Sequence, residues 1–364
     1  MTRLTSSLME ERDTSLVAAH MLKGTQLEGG WVVLEKLTRP RDSTGSNFSV
    51  GYIVERNGER AFLKALDYSF AFELVGNTAF VLETMTRDYV FESQILERCA
   101  ASRMDRIVRA LATGEVVVAE AADVKNVSYL IFELADGDVR NALDAHRAAV
   151  DYAWAFRTLH HAATGLVQLH TQNVAHQDVK PSNVLTFGPT LSKLGDLGRA
   201  SSRSTAGPHD EAPCAGDPQY APPELLYGQV SPDWRARRQA CDMYLLGSLA
   251  MFLFSETTAT SAILTFLDEQ QHYDVWQEHY SVVLPYVRVA FDRAMDVLEV
   301  SLPPKIANVL MPIIRQLCDP DPELRGHPNT RAMRHGNPYS LERYRTEFDL
   351  LARRAEIGTF RDAA

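Results

Sequence analysis

The chain is poor in cysteine, and its cysteines are not spaced for a metal site. There are four, widely scattered, and no Cys-x-x-Cys pair occurs, so the sequence indicates neither a zinc site nor a disulfide framework. Basic residues are also in deficit: 37 Lys and Arg stand against 47 Asp and Glu, for a formal net charge of −10. This balance argues against a broad nucleic-acid-binding surface.

Long hydrophobic runs are lacking as well. The longest apolar segment, Met243–Phe254, is too short to span a bilayer and predicts a buried helix. We find no signal-peptide pattern at the N-terminus and no lipidation motif at either end. The expectation is a cytoplasmic protein with no membrane partner. Its 364 residues, 45% apolar and 23% charged, are enough for a large core and suggest two packed lobes.

One short stretch, His176–Leu185 (HQDVKPSNVL), brings together the side chains that phosphoryl transfer requires. Asp178 can accept a proton from a hydroxyl, and Lys180 can offset charge on a phosphoryl group. The side-chain oxygen of Asn183 can bind a hard cation such as Mg²⁺. These functions must lie close together because catalysis of phosphoryl transfer is mostly positioning and electrostatic stabilisation.

The same stretch resembles the catalytic loop of protein kinases, H-R-D-x-x-x-x-N, with Gln177 in place of the arginine. Any one further match to the family would be common, but an ordered set is hard to obtain by chance. The chain is therefore similar to the eukaryotic-like (Hanks-type) serine/threonine protein kinase family over roughly residues 31–328. The other matching residues, in the family's order, are Lys64, Glu92, Asp196, Glu224, Asp242 and Arg325.

The resemblance implies an α+β, bilobal, protein-kinase-like fold. A small β-rich N-lobe with one major helix would be followed by a larger, mostly helical C-lobe. Residues 256–305 are helix-rich and longer than the family pattern leads us to expect, and they occupy the family's substrate-docking region. The expected segments are a leader at 1–30, the N-lobe at 31–135, the C-lobe at 136–328 and a C-terminal helical tail at 329–364.

Hydrophobic periodicity agrees with this order of elements. Strand-like segments begin at Trp31, and Asn57-Gly58 between two of them is a hairpin signal. Apolar residues at helical spacing predict a helix from Thr78 to Ala101 and another from Asp151 to Gln172. Two further strand-like segments lie between these helices.

The resemblance also places the phosphate-binding part of an ATP site. Lys64 would hold the alpha and beta phosphates, and Glu92 on the following helix would hold Lys64, with Glu97 as the alternative carboxylate. The turn STGSNFSVG would cover the phosphates, although a plain hairpin is an equally good interpretation of it. The residues of this turn assigned to nucleotide binding are Gly45, Ser46, Asn47 and Phe48.

The base and ribose contacts follow from the same alignment. Backbone groups of Glu133 and Ala135 would meet the adenine edge, and Asp138 would lie near the ribose. Leu185 would line the floor under the adenine. Phe132 would be the gatekeeper, although it is an equally good core residue.

Asp196, in the stretch SKLGDLG, resembles the family's D-F-G aspartate and with Asn183 would hold Mg²⁺. The polar segment Ser201–Glu224 resembles an activation segment. In many relatives the arginine missing at Gln177 grips a phosphorylated activation segment, so we hypothesise that phosphorylation of this segment is not the on-switch. Asp217 stands where many relatives have a threonine beside the catalytic residues.

These matches imply an enzyme that transfers the gamma-phosphoryl group of ATP, with Mg²⁺, to Ser or Thr hydroxyls of a protein substrate. Asp178 and Lys180 would be catalytic, and Lys180 is typical of the serine/threonine branch. One alternative is a pseudokinase that acts as a nucleotide-binding regulatory or scaffolding module. A small-molecule phosphotransferase is the other. Because Lys64, Asp178, Asn183 and Asp196 are all present, the residues favour the enzyme.

Overall fold

The computed structural model describes residues 14–38, 48–72, 77–122, 124–148 and 151–360, which are called the described chain below. The chain divides into two compact units. Unit 1 contains the residues up to Ala100 together with Arg109–Leu134, and unit 2 contains Ala101–Val108 and the residues from Ala135 onward. Unit 1 is rich in strand with one major helix and unit 2 is mostly helical, which is the α+β content expected from the sequence.

The strands are short and belong to three sheets. They are β1 Val32–Lys36, β2 Ser49–Arg56, β3 Glu59–Leu66, β4 Ala110–Val117, β5 Asn126–Glu133, β6 Gly137–Asp138, β7 Val174–Ala175, β8 Val184–Phe187, β9 Leu191–Leu194 and β10 Ser201–Ser202.

The helices vary from a single turn to six turns. They are α1 Thr78–Ala101, α2 Val139–Ala148, α3 Tyr152–Thr171, α4 Pro223–Leu226, α5 Ala240–Ser255, α6 Ala259–Phe266, α7 Tyr280–Ser301, α8 Pro304–Leu317, α9 Pro328–Arg331 and α10 Glu342–Glu356. A π-helical turn, Arg235–Gln239, leads into α5.

Unit 1 is built on an antiparallel sheet with the strand order β1-β2-β3-β5-β4. The predicted hairpin joins β2 to β3: Asn57 and Gly58 both have positive φ, 53° and 82°, as the tight turn between twisted strands requires. Trp31, Tyr52 and Tyr129 are buried in the core of this unit. The hairpin register puts Lys64 opposite Gly51, in the middle of the sheet.

The described part of the predicted leader belongs to the same core. Ala18–His20 form one helical turn, and Leu22 and Leu27 are buried with the sheet residues. The Tyr52 hydroxyl donates a hydrogen bond to the Ala19 carbonyl at 2.7 Å, which fixes this segment against β2. These residues are therefore part of unit 1. The boundary predicted between a leader and the N-lobe, at residues 30 and 31, stays a prediction.

Unit 2 is organised around two of its helices. Helix α3 starts where the sequence predicts, because the Asp151 carboxylate accepts a hydrogen bond from Trp154 N at 2.9 Å and caps the first turn. Helix α5 is buried along almost its whole length, as expected for Met243–Phe254. It approaches α8 closely: a Cβ on Gly247 would lie 2.5 Å from the Cys318 sulfur.

Sequence patterns missed one helix of unit 2 and found another. Helix α2 was not predicted; the Asp138 carboxylate caps it by accepting a hydrogen bond from Asn141 N at 2.9 Å. The predicted tail helix is present as α10, and it packs along α3. Arg157 on α3 holds α10 through Asp349 and Glu356, both at 2.6 Å.

Within the part of the chain that the structure describes, no single helix has the length and apolar character needed to cross a bilayer. Arg235–Ser255 and Ala259–Phe266 meet that test of length and composition only as a pair, which is bent by 81°.

Candidate active site

In unit 1, Lys64 and Glu92 form the predicted ion pair. The Lys64 ammonium lies 3.0 Å from one carboxylate oxygen of Glu92 and 3.3 Å from the other. Strand β3 presents Lys64 toward α1, and the face of α1 that buries Ile95 and Leu96 also buries Glu92. The alternative carboxylate, Glu97, is exposed on another face of α1. Glu92 is therefore the partner.

The predicted phosphate cover is placed only in part. Gly45, Ser46 and Asn47 lie outside the described residues. The ring of Phe48 packs edge-on against Phe70, with centroids 4.9 Å apart, beside the cluster that contains Leu66. A phosphate-covering role for this turn stays a prediction.

The predicted base-binding groups are split between the two units. Glu133 ends β5 in unit 1, and its backbone N–H donates to the Arg109 carbonyl at 3.0 Å. Since that N–H is engaged within the unit, an adenine contact at Glu133 would use its carbonyl. Ala135 belongs to unit 2. Phe132 is buried, with its ring 6.4 Å from that of Phe62, as both the gatekeeper and the core interpretation allow.

In unit 2, three donors hold the Asp178 carboxylate in one orientation. Its Oδ1 accepts a hydrogen bond from Asp217 N at 3.0 Å. Its Oδ2 accepts one from the Asn183 amide at 2.9 Å and lies 3.1 Å from the Lys180 ammonium. The three predicted residues of the HQDVKPSNVL stretch are thus assembled around one buried carboxylate.

Lys180 lies between two carboxylates. Its ammonium is 3.1 Å from Asp178 and 3.5 Å from Asp217. Burial by itself would lower the pKa of Lys180, but Asp178, Asp217 and Asp196 together raise it above the ordinary value. The lysine is therefore a fixed cation beside Asp178, and Asp217 is a residue of this site.

His176 supports the loop, and both of its ring nitrogens are engaged in hydrogen bonds, so it is not placed to transfer a proton. It is completely buried, and its Nε2 is 3.0 Å from the Gly195 carbonyl, which can only accept. Nε2 therefore carries the proton, and Nδ1 accepts a hydrogen bond from Asp178 N at 3.3 Å. This agrees with a structural role for His176.

Asp242 fixes the backbone of the same loop from α5. Its carboxylate accepts hydrogen bonds from the backbone N–H groups of His176 and Gln177, both at 2.8 Å. His170 lies 2.8 Å from it. Burial alone would raise the pKa of Asp242, but His170, His176 and the Gln177 N–H hold it below the ordinary value. Asp242 thus stays ionised and ties the loop down.

Gln177 is buried in a polar network that sequence reasoning did not find. Its amide donates to Asp242 at 3.0 Å and to the Arg238 carbonyl at 2.8 Å, and its oxygen accepts from the Arg238 guanidinium at 3.2 Å. Arg238 also donates to the backbone carbonyls of His209 and Asp210 in the segment predicted to be the activation segment. A guanidinium therefore reaches this segment although position 177 is not arginine.

The last residue of this segment, Glu224, forms an ion pair with a second buried arginine, Arg325. The two terminal guanidinium nitrogens of Arg325 contact the Glu224 carboxylate, at 2.7 and 2.8 Å. Burial would lower the pKa of Arg325, and Glu224 raises it well above the ordinary value. The ion pair thus joins two of the residues that match the kinase family in the sequence.

A family comparison agrees with this geometry. The family model of the protein kinase domain matches residues 59–335. The chain belongs to the protein kinase family. The bilobal kinase fold class inferred from the sequence is thereby confirmed.

Known relatives match shorter parts of the chain. Serine/threonine-protein kinase TAO2 of Rattus norvegicus is 31% identical over 102 residues, 28% of this chain and 8% of TAO2. Cyclin-dependent kinase-like 2 of Homo sapiens is 29% identical over 136 residues, 37% and 26% of the two chains. Serine/threonine-protein kinase par-4 of Caenorhabditis briggsae is 35% identical over 111 residues, 29% and 16%. The matched part is thus at most about a quarter of each of these relatives.

In the kinase domain, the remaining predicted residues of unit 2 lie close together. Asp138 pairs with Leu185 across β6 and β8. Leu185 lies against Gly195, where an added Cβ would be 3.2 Å from the leucine side chain. Both carboxylate oxygens of Asp138 accept hydrogen bonds from Asn141, so this residue caps α2 whether or not it contacts a ribose.

The donor set at Asn183 and Asp196 fits a hard cation. The Asn183 amide nitrogen donates to Asp178, which leaves its oxygen as the ligating end. Gly195, next to Asp196, donates its N–H to the Asn183 carbonyl at 2.9 Å, so the two predicted ligands are neighbours. In the described chain, no group of three or more His, Cys, Asp or Glu could hold a metal alone. Mg²⁺ in phosphoryl-transfer sites commonly has one or two protein ligands and takes the rest from phosphate and water.

Proposed function

We propose that this protein is an ATP-dependent protein kinase that phosphorylates Ser or Thr hydroxyls. The observation that carries the proposal is the fixed orientation of the Asp178 carboxylate, with the Lys180 ammonium 3.1 Å from it. The relatives named above as serine/threonine-protein kinases support the same class of reaction.

In the proposed reaction, Asp178 accepts a hydrogen bond from the substrate hydroxyl and takes up its proton as the oxygen attacks the gamma phosphorus of ATP. The bond between the gamma phosphorus and the beta–gamma bridging oxygen breaks, and ADP leaves. The Lys180 ammonium stabilises negative charge on the phosphoryl group in transit. Asp217 holds Lys180 on its other side and donates its N–H to Asp178, so base and cation are preorganised.

Lys64, held by Glu92, would bind the alpha and beta phosphates of the substrate ATP. Asn183 and Asp196 would bind Mg²⁺, which when bound neutralises phosphate charge. Glu133 and Ala135 would contact adenine, Asp138 the ribose and Leu185 the base, while Gly45, Ser46, Asn47 and Phe48 would cover the phosphates. A protein acceptor and a cytoplasmic location complete the proposal, as the sequence led us to expect.

The test is transfer of radiolabelled phosphate from ATP to the chain itself and to a panel of basic proteins, with Mg²⁺. Asp178→Asn keeps the size of the side chain and removes its basicity, so we expect the rate to fall by about 10²–10⁴-fold. The matched control is Asp144→Asn, the same exchange at an exposed position of α2, which should keep the native rate.

Three results would count against the proposal. Label transfer that is equal in the native and Asp178→Asn chains would remove Asp178 from the reaction. ATP-dependent thermal stabilisation of the native chain without any label transfer would instead identify a pseudokinase. Label that appears only in the small-molecule fraction would identify a different phosphotransferase.

A further inference from the structure

Helix α7 carries an exposed apolar stripe in the region that the kinase resemblance does not account for. Its members recur at intervals of three or four residues and therefore lie on one side of the helix. The exception is the interval between Val289 and Val297, where Arg293 occupies the intermediate position. Each member is at least 46% exposed. They are Val282, Tyr286, Val289, Val297 and Val300.

The stripe is separate from the face that packs α7 into unit 2. That face buries Val283, Val287, Phe291 and Leu298, among others. A helix with one buried face normally presents polar side chains elsewhere. Two apolar faces on one helix indicate that the second is covered by another surface.

We propose that the stripe is a homodimer interface in which α7 packs antiparallel against α7 of a second copy. The spacing is nearly symmetric about Phe291. A two-fold axis there places Val282 against Val300 of the second copy and Tyr286 against its Val297. A surface that pairs with itself in this way is what an isologous dimer requires.

The charges beside the stripe favour the antiparallel direction. Asp292, Asp296 and Glu299 all lie in the C-terminal half of α7, and the N-terminal half contains no acidic residue. An antiparallel pair puts the acidic half of each helix beside the N-terminal half of the other, where the positive end of the helix dipole lies. Arg288 contacts Asp321 of its own chain at 3.0 Å and is therefore already paired. Arg315 also lies 3.1 Å from Asp292 and 3.2 Å from Asp296. A parallel pair would put the three carboxylates beside their copies.

The area of the stripe agrees with a weak but specific dimer. Helix α7 has 22 residues, so it is about 33 Å long. The exposed parts of its five apolar side chains would contribute roughly 400–500 Å² per copy, close to the lower limit of about 1,000 Å² in total for a specific interface. We expect a dissociation constant on the order of 10 μM.

The first test is sedimentation equilibrium of the full chain from low to about 100 μM, ten times the expected dissociation constant. The native chain should pass from monomer to dimer. Val289→Lys, which puts a second cation against Arg293 of the second copy, should stay monomeric with an unchanged thermal midpoint. Val300→Lys, at a position 88% exposed, puts a cation beside the positive N-terminal end of the other helix and should weaken the dimer at least about tenfold. Val117→Lys, at an exposed valine in unit 1, is the matched control and should dimerise normally.

The second test distinguishes the direction of pairing. Under mild oxidation, the Val282→Cys/Val300→Cys double variant should form a disulfide-linked dimer, whereas each single variant should not. The native chain is the control, because Cys99, Cys241 and Cys318 are buried and Cys214 is partly buried. A native chain that stays monomeric, a Val289→Lys chain that still dimerises, or cross-linking of the single Val282→Cys variant would overturn the proposal.

Discussion

Arg325 and Arg238 are both buried arginines of unit 2, but their guanidinium groups have different partners. Arg325 faces the Glu224 carboxylate with two short contacts. Arg238 donates instead to neutral oxygens, and the nearest Asp210 carboxylate oxygen is 3.9 Å away. Burial and the neighbouring Arg237 lower the pKa of Arg238 below the ordinary value. A further positive charge placed beside Arg238 would therefore be poorly stabilised.

This difference predicts the effect of restoring the family's usual arginine. Gln177→Arg should destabilise the protein, because it places a second buried cation against Arg238 and removes the amide that donates to Asp242. We expect a loss of about 2–4 kcal/mol in the free energy of unfolding, measured by urea denaturation. An unchanged or higher stability would contradict this account.

The exchange of both residues is the control. Gln177→Arg combined with Arg238→Gln keeps one guanidinium and one amide in the same space. The double variant should be more stable than Gln177→Arg alone. Its loss of stability should also be smaller than the sum of the losses of the two single variants.

At the scale of elements, the segment predicted to be the activation segment lies directly on the catalytic loop. Asp217 donates its N–H to Asp178, and Arg237 on the π-helical turn donates to the Ala212 carbonyl at 2.7 Å. At Gly216 the segment passes very close to the catalytic loop: a Cβ there would lie 2.2 Å from the Gln177 carbonyl oxygen and 2.9 Å from Asp178 Oδ1. The segment keeps this path because residue 216 has no side chain.

Gly216→Ala should therefore move the segment away from Asp178. We expect kinase activity to fall by at least about tenfold, because a small displacement of the positioning groups is costly. The thermal midpoint should also fall. The measurement is the rate of peptide phosphorylation beside thermal unfolding. Gly137→Ala, where the nearest atom is 3.9 Å from the added Cβ, is the matched control for stability. Equal rates for Gly216→Ala and the native chain would show that the contact is unimportant.

Local spacing explains which parts of the site could be predicted. Asp178, Lys180 and Asn183 lie within one loop, so their sequence pattern already indicated that their side chains would lie close together. Asp242 and Arg325 could be placed through the kinase resemblance. Arg238 could not, because it meets Gln177 across 61 positions and belongs to no motif. Helix α2 was not predicted, and its cap, Asp138, was considered only as a ribose contact.

On the scale of the whole molecule, one buried histidine links stability to pH. His161 on α3 accepts a hydrogen bond from Ser192 N through Nδ1, at 3.2 Å. Burial, with a further contribution from Arg106, lowers the pKa of His161 from 6.5 to about 3. The unfolded chain therefore takes up this proton first, and stability falls as the pH decreases through 6.5 toward 3.

His161→Gln should reduce this pH dependence, since glutamine can accept the same hydrogen bond and does not titrate. Between pH 7 and pH 5, we expect the native protein to lose roughly 1–2 kcal/mol more than the variant. Thermal unfolding of both proteins at the two pH values measures the difference. Parallel losses in the two proteins would mean that His161 is not responsible.

The Glu224–Arg325 ion pair joins parts of the chain that are 101 positions apart. The exposed stretch between Gln271 and His279 lies inside that interval. A break in the polypeptide there would leave both flanking pieces attached through the buried pair and through the contact of α5 with α8. We therefore expect that the gene can be divided into two co-expressed halves at this stretch, or a fluorescent reporter inserted there, while the two parts of the protein stay together.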